Sequence, residues 1–174
     1  MNKAMNLVAV AVLVILGWFG YNALYKNVAD FKNLTYTIRE EKIALVNGVA
    51  NTTAGPGSAS IITTRFFGKD TRGDVNHDGI SDVTFIITQT GGGSGTFYYI
   101  ASAVSTPAGG REGTNAIFLG DRIVPKSLDI LDSNIILEYL DHAQGQDLAS
   151  RPSVTVSKIF TVENGYLVVP KKIL

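Results

Sequence analysis

The chain has 174 residues, 45% of them hydrophobic, enough for one globular unit with a real core and too apolar for wholesale disorder. Fifteen Lys and Arg balance fifteen Asp and Glu, and setting aside Lys3 and Lys26 leaves 13 basic against 15 acidic residues, which is no electrostatic footprint for nucleic acid. Cysteine is absent, which excludes disulfides, thiol catalysis, thiolate zinc sites and a lipid-modified cysteine.

Residues 1–26 read MNKAMNLVAVAVLVILGWFGYNALYK. From Leu7 to Tyr21 no side chain is charged or strongly polar, and Ala23, Leu24 and Tyr25 continue the apolar run. A helix from Leu7 to Tyr25 is about 28 Å long, close to the roughly 30 Å hydrocarbon core of a bilayer. Trp18, Tyr21 and Tyr25 cluster at its far end, where amphipathic rings favour the membrane–water boundary. Residues 1–29 are therefore predicted to form one transmembrane helix in the cytoplasmic membrane, with residues 30–174 facing the periplasm or the cell exterior. Cleavage as a signal peptide is the competing outcome, but Tyr21-Asn22-Ala23 is a poor small-residue cleavage site.

After Asp30, strand signals recur at short intervals with turn residues between them. LTYTI and KIALV, separated by REE, predict a first hairpin. SIITTRFF, VTFIITQ, GTFYYIASAV and AIFLG are rich in β-branched and aromatic residues. LDILDSNIILEYL reads as two runs meeting at Asp132-Ser133-Asn134, and KIFTVENGYLVV carries Asn164-Gly165, a strong hairpin signal. The glycine-bearing stretches VNGVANTTAGPGSA and TQTGGGSGT, and the polar segment DHAQGQDLASRP, are predicted to be loops. No sustained apolar 3.6 period appears after residue 30. The expected domain is all-β, a sandwich or barrel of about ten short strands.

The stretch GDVNHDGISD, residues 73–82, carries the chemistry. Ca²⁺ takes six to eight oxygen ligands, and alternate side chains of a tight loop can point at one centre. Asp74, Asn76 and Asp78 occupy positions 1, 3 and 5; Gly79 permits the sharp turn; Ile80 offers its backbone carbonyl; Asp82 at position 9 completes the set. The Ile80 side chain is expected to point into the core. A metal-free turn is the competing reading, because Asp, Asn and Gly are common turn formers. Mg²⁺ suits the site less, since it demands a small octahedron and retains water, and one histidine, His77, makes a poor transition-metal site. An EF-hand places a bidentate Glu at position 12, where this chain has Phe85 at the start of a strand-like run.

GDVNHDGISDVTFII resembles instead the calcium loops of FG-GAP repeats in integrin-type extracellular β proteins. There the aspartate at position 9 closes the site and a strand follows, so the resemblance implies bound Ca²⁺. Over a longer span, GDVNHDGISDVTFIITQTGGGSGTFYY, then GTNAIFLGDRI, then PSVTVSKIF is similar to small exported bacterial proteins with no established activity. That likeness implies only a bacterial, extracytoplasmic setting.

Catalytic machinery is not visible. Ser94 in GGGSGT lacks the strand–turn–helix context of a nucleophile elbow, and the run lacks the lysine of a phosphate loop. Asp141-His142 is at most half a triad, and Asp121-Arg122 reads as a turn with a local ion pair. The expected function is a membrane-anchored calcium-binding structural or binding module. Its expected partners are the lipid bilayer and another cell-envelope protein or a glycan. The alternative is a hydrolase using carboxylates such as Asp121 and Asp141.

Overall fold

Four two-residue turns set the register of much of this molecule. A type I′ turn needs positive φ at both central residues, and its twist matches that of paired strands. Arg39-Glu40, Asn47-Gly48, Asp132-Ser133 and Asn164-Gly165 all meet that requirement. The structure, a computed structural model, describes residues 30–170. The predicted membrane helix lies outside the described residues.

A 3₁₀ turn, Phe31–Asn33, is capped by the Asp30 carboxylate and leads into β1 (Thr35–Ile38). β1 pairs with β2 (Glu41–Ala44) across Arg39-Glu40. The chain then turns at Asn47-Gly48 into β3 (Val49–Thr53), followed by β4 (Ile61–Gly73), β5 (Asp82–Thr90) and β6 (Thr96–Ser105). β7 (Arg111–Gly113) and β8 (Ile117–Asp121) both pair with β6. β9 (Val124–Leu131), β10 (Asn134–Asp141), β11 (Val154–Glu163) and β12 (Tyr166–Val168) form an antiparallel meander. The described residues are thus all-β, in a two-stranded, a four-stranded and a six-stranded sheet.

The six-stranded sheet is covered on both faces. Along β5, Val83, Phe85 and Ile87 enter one core and Ile86 enters the other, as the period-2 alternation of a strand requires. The first core packs Ile86, Ile100, Leu119 and Val75 against Leu128, Ile135, Leu137, Tyr139 and Phe160 of the four-stranded sheet. The second packs Phe85, Tyr99 and Ala101 under Tyr36, Ile38, Ile43 and Phe31. Phe31, Tyr36 and Phe66 surround Phe85 with ring centroids 4.9, 5.1 and 6.0 Å away, and the buried Tyr36 hydroxyl donates to the Phe31 carbonyl at 2.6 Å. Burial on both faces explains why VTFII reads as a continuous apolar run rather than an alternating one.

Two sequence expectations need correction. VNGVANTTAGPGSA is not all loop, since Asn47-Gly48 is a tight turn and Val49–Thr53 is a strand. The Asn-Gly signal was present, but the polar NTT after it masked the strand, which pairs only with β4 at the sheet margin. The short strand Arg111–Gly113 was also unmarked, because REG has no β signature and is strand only by pairing with β6.

Candidate metal centre

The loop Asp74–Ser81 closes the β4–β5 hairpin, with Gly73 opposite Asp82 at its root. That root is tight, because a Cβ on Gly73 would lie 2.9 Å from Cγ2 of Ile130 on β9. Val75 is buried in the first core and pins the loop down. Asp82, the first residue of β5, is fully buried. One of its oxygens accepts from the Val75 N–H at 3.0 Å and the other from the Ser105 N–H at 2.7 Å. The Ser105 hydroxyl donates to the Ser81 carbonyl at 2.8 Å, so the end of β6 holds the far side of the loop.

Above this floor the side chains fold back on their own backbone. Asp74 Oδ2 accepts from the Gly79 N–H at 2.8 Å, and its Oδ1 from those of Asn76 and Asp78 at 3.2 and 3.3 Å. Asp78 Oδ1 accepts from the Ile80 N–H at 2.7 Å, and Asp78 Oδ2 from the Asn76 side-chain amide at 2.9 Å. Gly79 sits at φ +80°, while a Cβ there would meet nothing within 4 Å; conformation, not space, calls for glycine. His77 takes φ +64° and its Nδ1 lies 3.2 Å from the Ser133 hydroxyl in the β9–β10 turn.

The electrostatics divide the two ends of the set. The Gly79 N–H, followed by those of Asn76, His77 and Asp78, holds the Asp74 carboxyl below the usual carboxylate range. Burial pushes the Asp82 carboxyl up, the negative charges of Asp78 and Asp74 push it further, and the Ser105 and Val75 amides oppose both. A cation among the three would reverse the repulsive part of that balance.

Do the residues fit Ca²⁺? The donors are all oxygens, as a hard cation wants. A carboxylate oxygen that accepts one N–H keeps a second lone pair, so the hydrogen bonds do not exhaust Asp74, Asp78 or Asp82. Against this, no three His, Cys, Asp or Glu side chains converge on a common point among the described residues. The Asn76 amide N–H stands on Asp78 Oδ2, supplying part of the positive potential a cation would. The donor chemistry fits, then, in an arrangement tied together by hydrogen bonds.

One expectation about the loop fails. Ile80 does not enter either core; it is half-buried beside Ser81, Ser105 and Arg111. Val75, at position 2, is the apolar anchor instead, because it lies between the buried Asp82 contact and the core-facing end of β4. The carboxylates of the hydrolase alternative serve local structure. Asp121 binds Arg122 at 3.0 Å and accepts from the Thr96 N–H at 2.8 Å. Asp141 accepts from the His142 N–H at 2.8 Å. Comparison with known proteins gave no match to a family model, a curated protein or a solved structure.

Proposed function

We propose that this chain is a membrane-anchored, extracytoplasmic module whose β4–β5 loop binds Ca²⁺ through Asp74, Asn76, Asp78, the Ile80 carbonyl and Asp82. The observation that carries the reading is the three-carboxylate loop rooted on a fully buried aspartate. A plain surface turn has no use for a buried acid whose charge two neighbouring acids oppose. The apolar N-terminal run supports the anchor. The layered sheets, open at their edges, support a sandwich rather than a barrel. The module's role is structural or recognitive, at the outer face of the cytoplasmic membrane.

Calorimetric titration of the full chain tests the metal site. Extracellular-type sites bind with Kd about 10⁻⁴–10⁻³ M, so millimolar Ca²⁺ should stabilise the fold by about 0.4–1.4 kcal/mol. Asp74→Ala and Asp78→Ala should each abolish the response, and His77→Ala should leave it nearly intact. No heat and no thermal shift with millimolar Ca²⁺ would reduce the loop to a turn. The anchor is tested separately. Mass spectrometry of membrane-fraction protein should find peptides spanning Tyr21 to Lys32, and a soluble form starting between residues 22 and 30 would sink that part.

A further inference from the structure

At the opposite end of β5 from the metal loop, the glycine-rich turn forms one wall of a cavity of about 250 Å³. Eight residue steps separate Asp82 from Thr90, about 26 Å at the usual strand rise. The facing wall is the β1–β2 turn, which brings in Arg39. Ile62 and Phe97 supply apolar sides, and Gln89 spends its amide N–H on the Thr64 hydroxyl at 3.1 Å.

Arg39 is held but not neutralised. Its guanidinium lies 5.4 Å from the ring centroid of Phe97, 5.8 Å from that of Tyr99 and 6.0 Å from that of Phe118. Three aromatic faces thus fix a cation in place. Yet Arg39 has no ion-pair partner among the described residues. Beside it Tyr99 is buried; burial pushes its hydroxyl up, and the charge and hydrogen bond of the Arg39 guanidinium oppose that shift. The Arg39 guanidinium is exposed and has no carboxylate partner among the described residues, so it is available to an anion that enters the pocket.

The opposite wall is bare main chain. A Cβ on Gly93 would meet nothing within 4 Å, and Gly93 does not take positive φ, so neither crowding nor conformation demands glycine there. Gly95 differs, because a Cβ would strike the Phe97 ring at 2.9 Å. Glycine at 93 leaves the backbone open to close approach by a ligand, while the Gly93 N–H itself donates to the Gly91 carbonyl at 2.6 Å.

We propose that this pocket takes a compact organic carboxylate, bound by the Arg39 guanidinium against the bare Gly91–Gly93 main chain. A planar guanidinium pairs with a carboxylate through two parallel N–H···O bonds, and the cavity has room for one small polar group rather than a polymer. A sugar acid and an acidic amino-acid side chain share this chemistry. The pocket and the metal loop occupy opposite ends of β5, so each stands or falls without the other.

The test is ¹H–¹⁵N spectroscopy of the full chain in detergent, without added Ca²⁺. The probes are D-glucuronate and N-acetyl-L-glutamate, against neutral D-glucose and N-acetyl-L-glutamine. At millimolar concentration at least one acid should move the Gly91–Gly95 amides and the Arg39 Nε signal, and its neutral partner should bind about tenfold more weakly or worse. The tighter acid identifies the source, sugar or amino acid. Arg39→Gly suits the turn's positive φ and should keep the melting temperature while weakening binding about tenfold or more. Gly93→Glu adds a competing carboxylate into open space and should do the same with the turn intact, which decides the matter if Arg39→Gly misfolds. Equal binding of acid and neutral analogue, an unmoved glycine loop, or wild-type affinity in a folded variant overturns the proposal.

Discussion

Replacing Asp82 by Ala removes the acceptor for two buried amides, Val75 N–H at 3.0 Å and Ser105 N–H at 2.7 Å. Each buried donor left without a partner costs about 1–3 kcal/mol, so the pair costs about 2–6 kcal/mol. One term opposes this. The variant also relieves repulsion from Asp74 and Asp78, but those groups are partly or fully exposed and the relief is at most about 1 kcal/mol. The lost amide partners therefore win. For a chain of this size the melting temperature should fall by at least about 2 °C, and by about 10 °C or more if both amides stay dry. Asp82→Asn separates charge from geometry, because it keeps the volume and one acceptor but turns an N–H donor toward one of the two amides. It should cost nearly as much as alanine. Asp78→Ala, on the exposed side of the loop, should shift melting far less. Circular dichroism melts of the three variants in chelator provide the measurement. An Asp82→Ala protein melting with the wild type would refute the idea that this carboxylate roots the loop.

Two further predictions concern proton linkage and close packing. The folded Asp82 carboxyl titrates above its ordinary value, so the native state binds more protons than the unfolded chain just above that value. Its contribution therefore weakens the fold as pH rises through that window, whereas Asp74, held low, contributes stability that is lost as pH falls through its depressed value. Millimolar Ca²⁺ should stabilise more at pH 7 than at pH 4, and equal stabilisation at both would contradict the assignment of these carboxylates. Gly113→Ala places a Cβ against the Thr35 carbonyl and 2.8 Å from Tyr36 Cδ1; a cost of about 2–3 kcal/mol or more is expected by chemical denaturation, and a neutral result would mean that β7 does not lie so close to β1.

The residues that could be read from sequence are those whose local signal and tertiary role agree. Asn164-Gly165 and the meeting point at Asp132-Ser133 both became type I′ turns, because the strands on either side alternate and the turn needs no outside partner. Arg39-Glu40 was legible only through its flanks, since neither residue favours positive φ and the pairing of Tyr36 with Ile43 and Ile38 with Glu41 imposes it. β7 was illegible because its strand character belongs to its neighbour. The loop's spacing was plain in sequence, but the division of labour inside it was not. Which apolar residue anchors it depends on where the core lies, and spacing alone placed Ile80 there instead of Val75. The pocket at Arg39 had a visible half, the run GGGSGT; its other half comes from a turn more than fifty residues earlier, which no local pattern joins to it.

β5 connects these features. Its first residue, Asp82, closes the loop, its middle residues fill both cores, and its last residue lines the Arg39 pocket. A strand buried on both faces cannot shift register without emptying one core into the other, so it has no soft direction in which to absorb a change at the loop. Ca²⁺ bound there would act mainly by raising the cost of detaching the β4–β5 hairpin from Ser105 and Val75, and would leave the pocket's geometry alone. The expected consequence is slowed amide exchange at Val75, Gly79 and Ser105 with added Ca²⁺ and unchanged exchange at Gly91–Gly93. Equal slowing at both ends would instead mean that the two sites communicate through β5, and the hairpin would have to be treated as one cooperative unit.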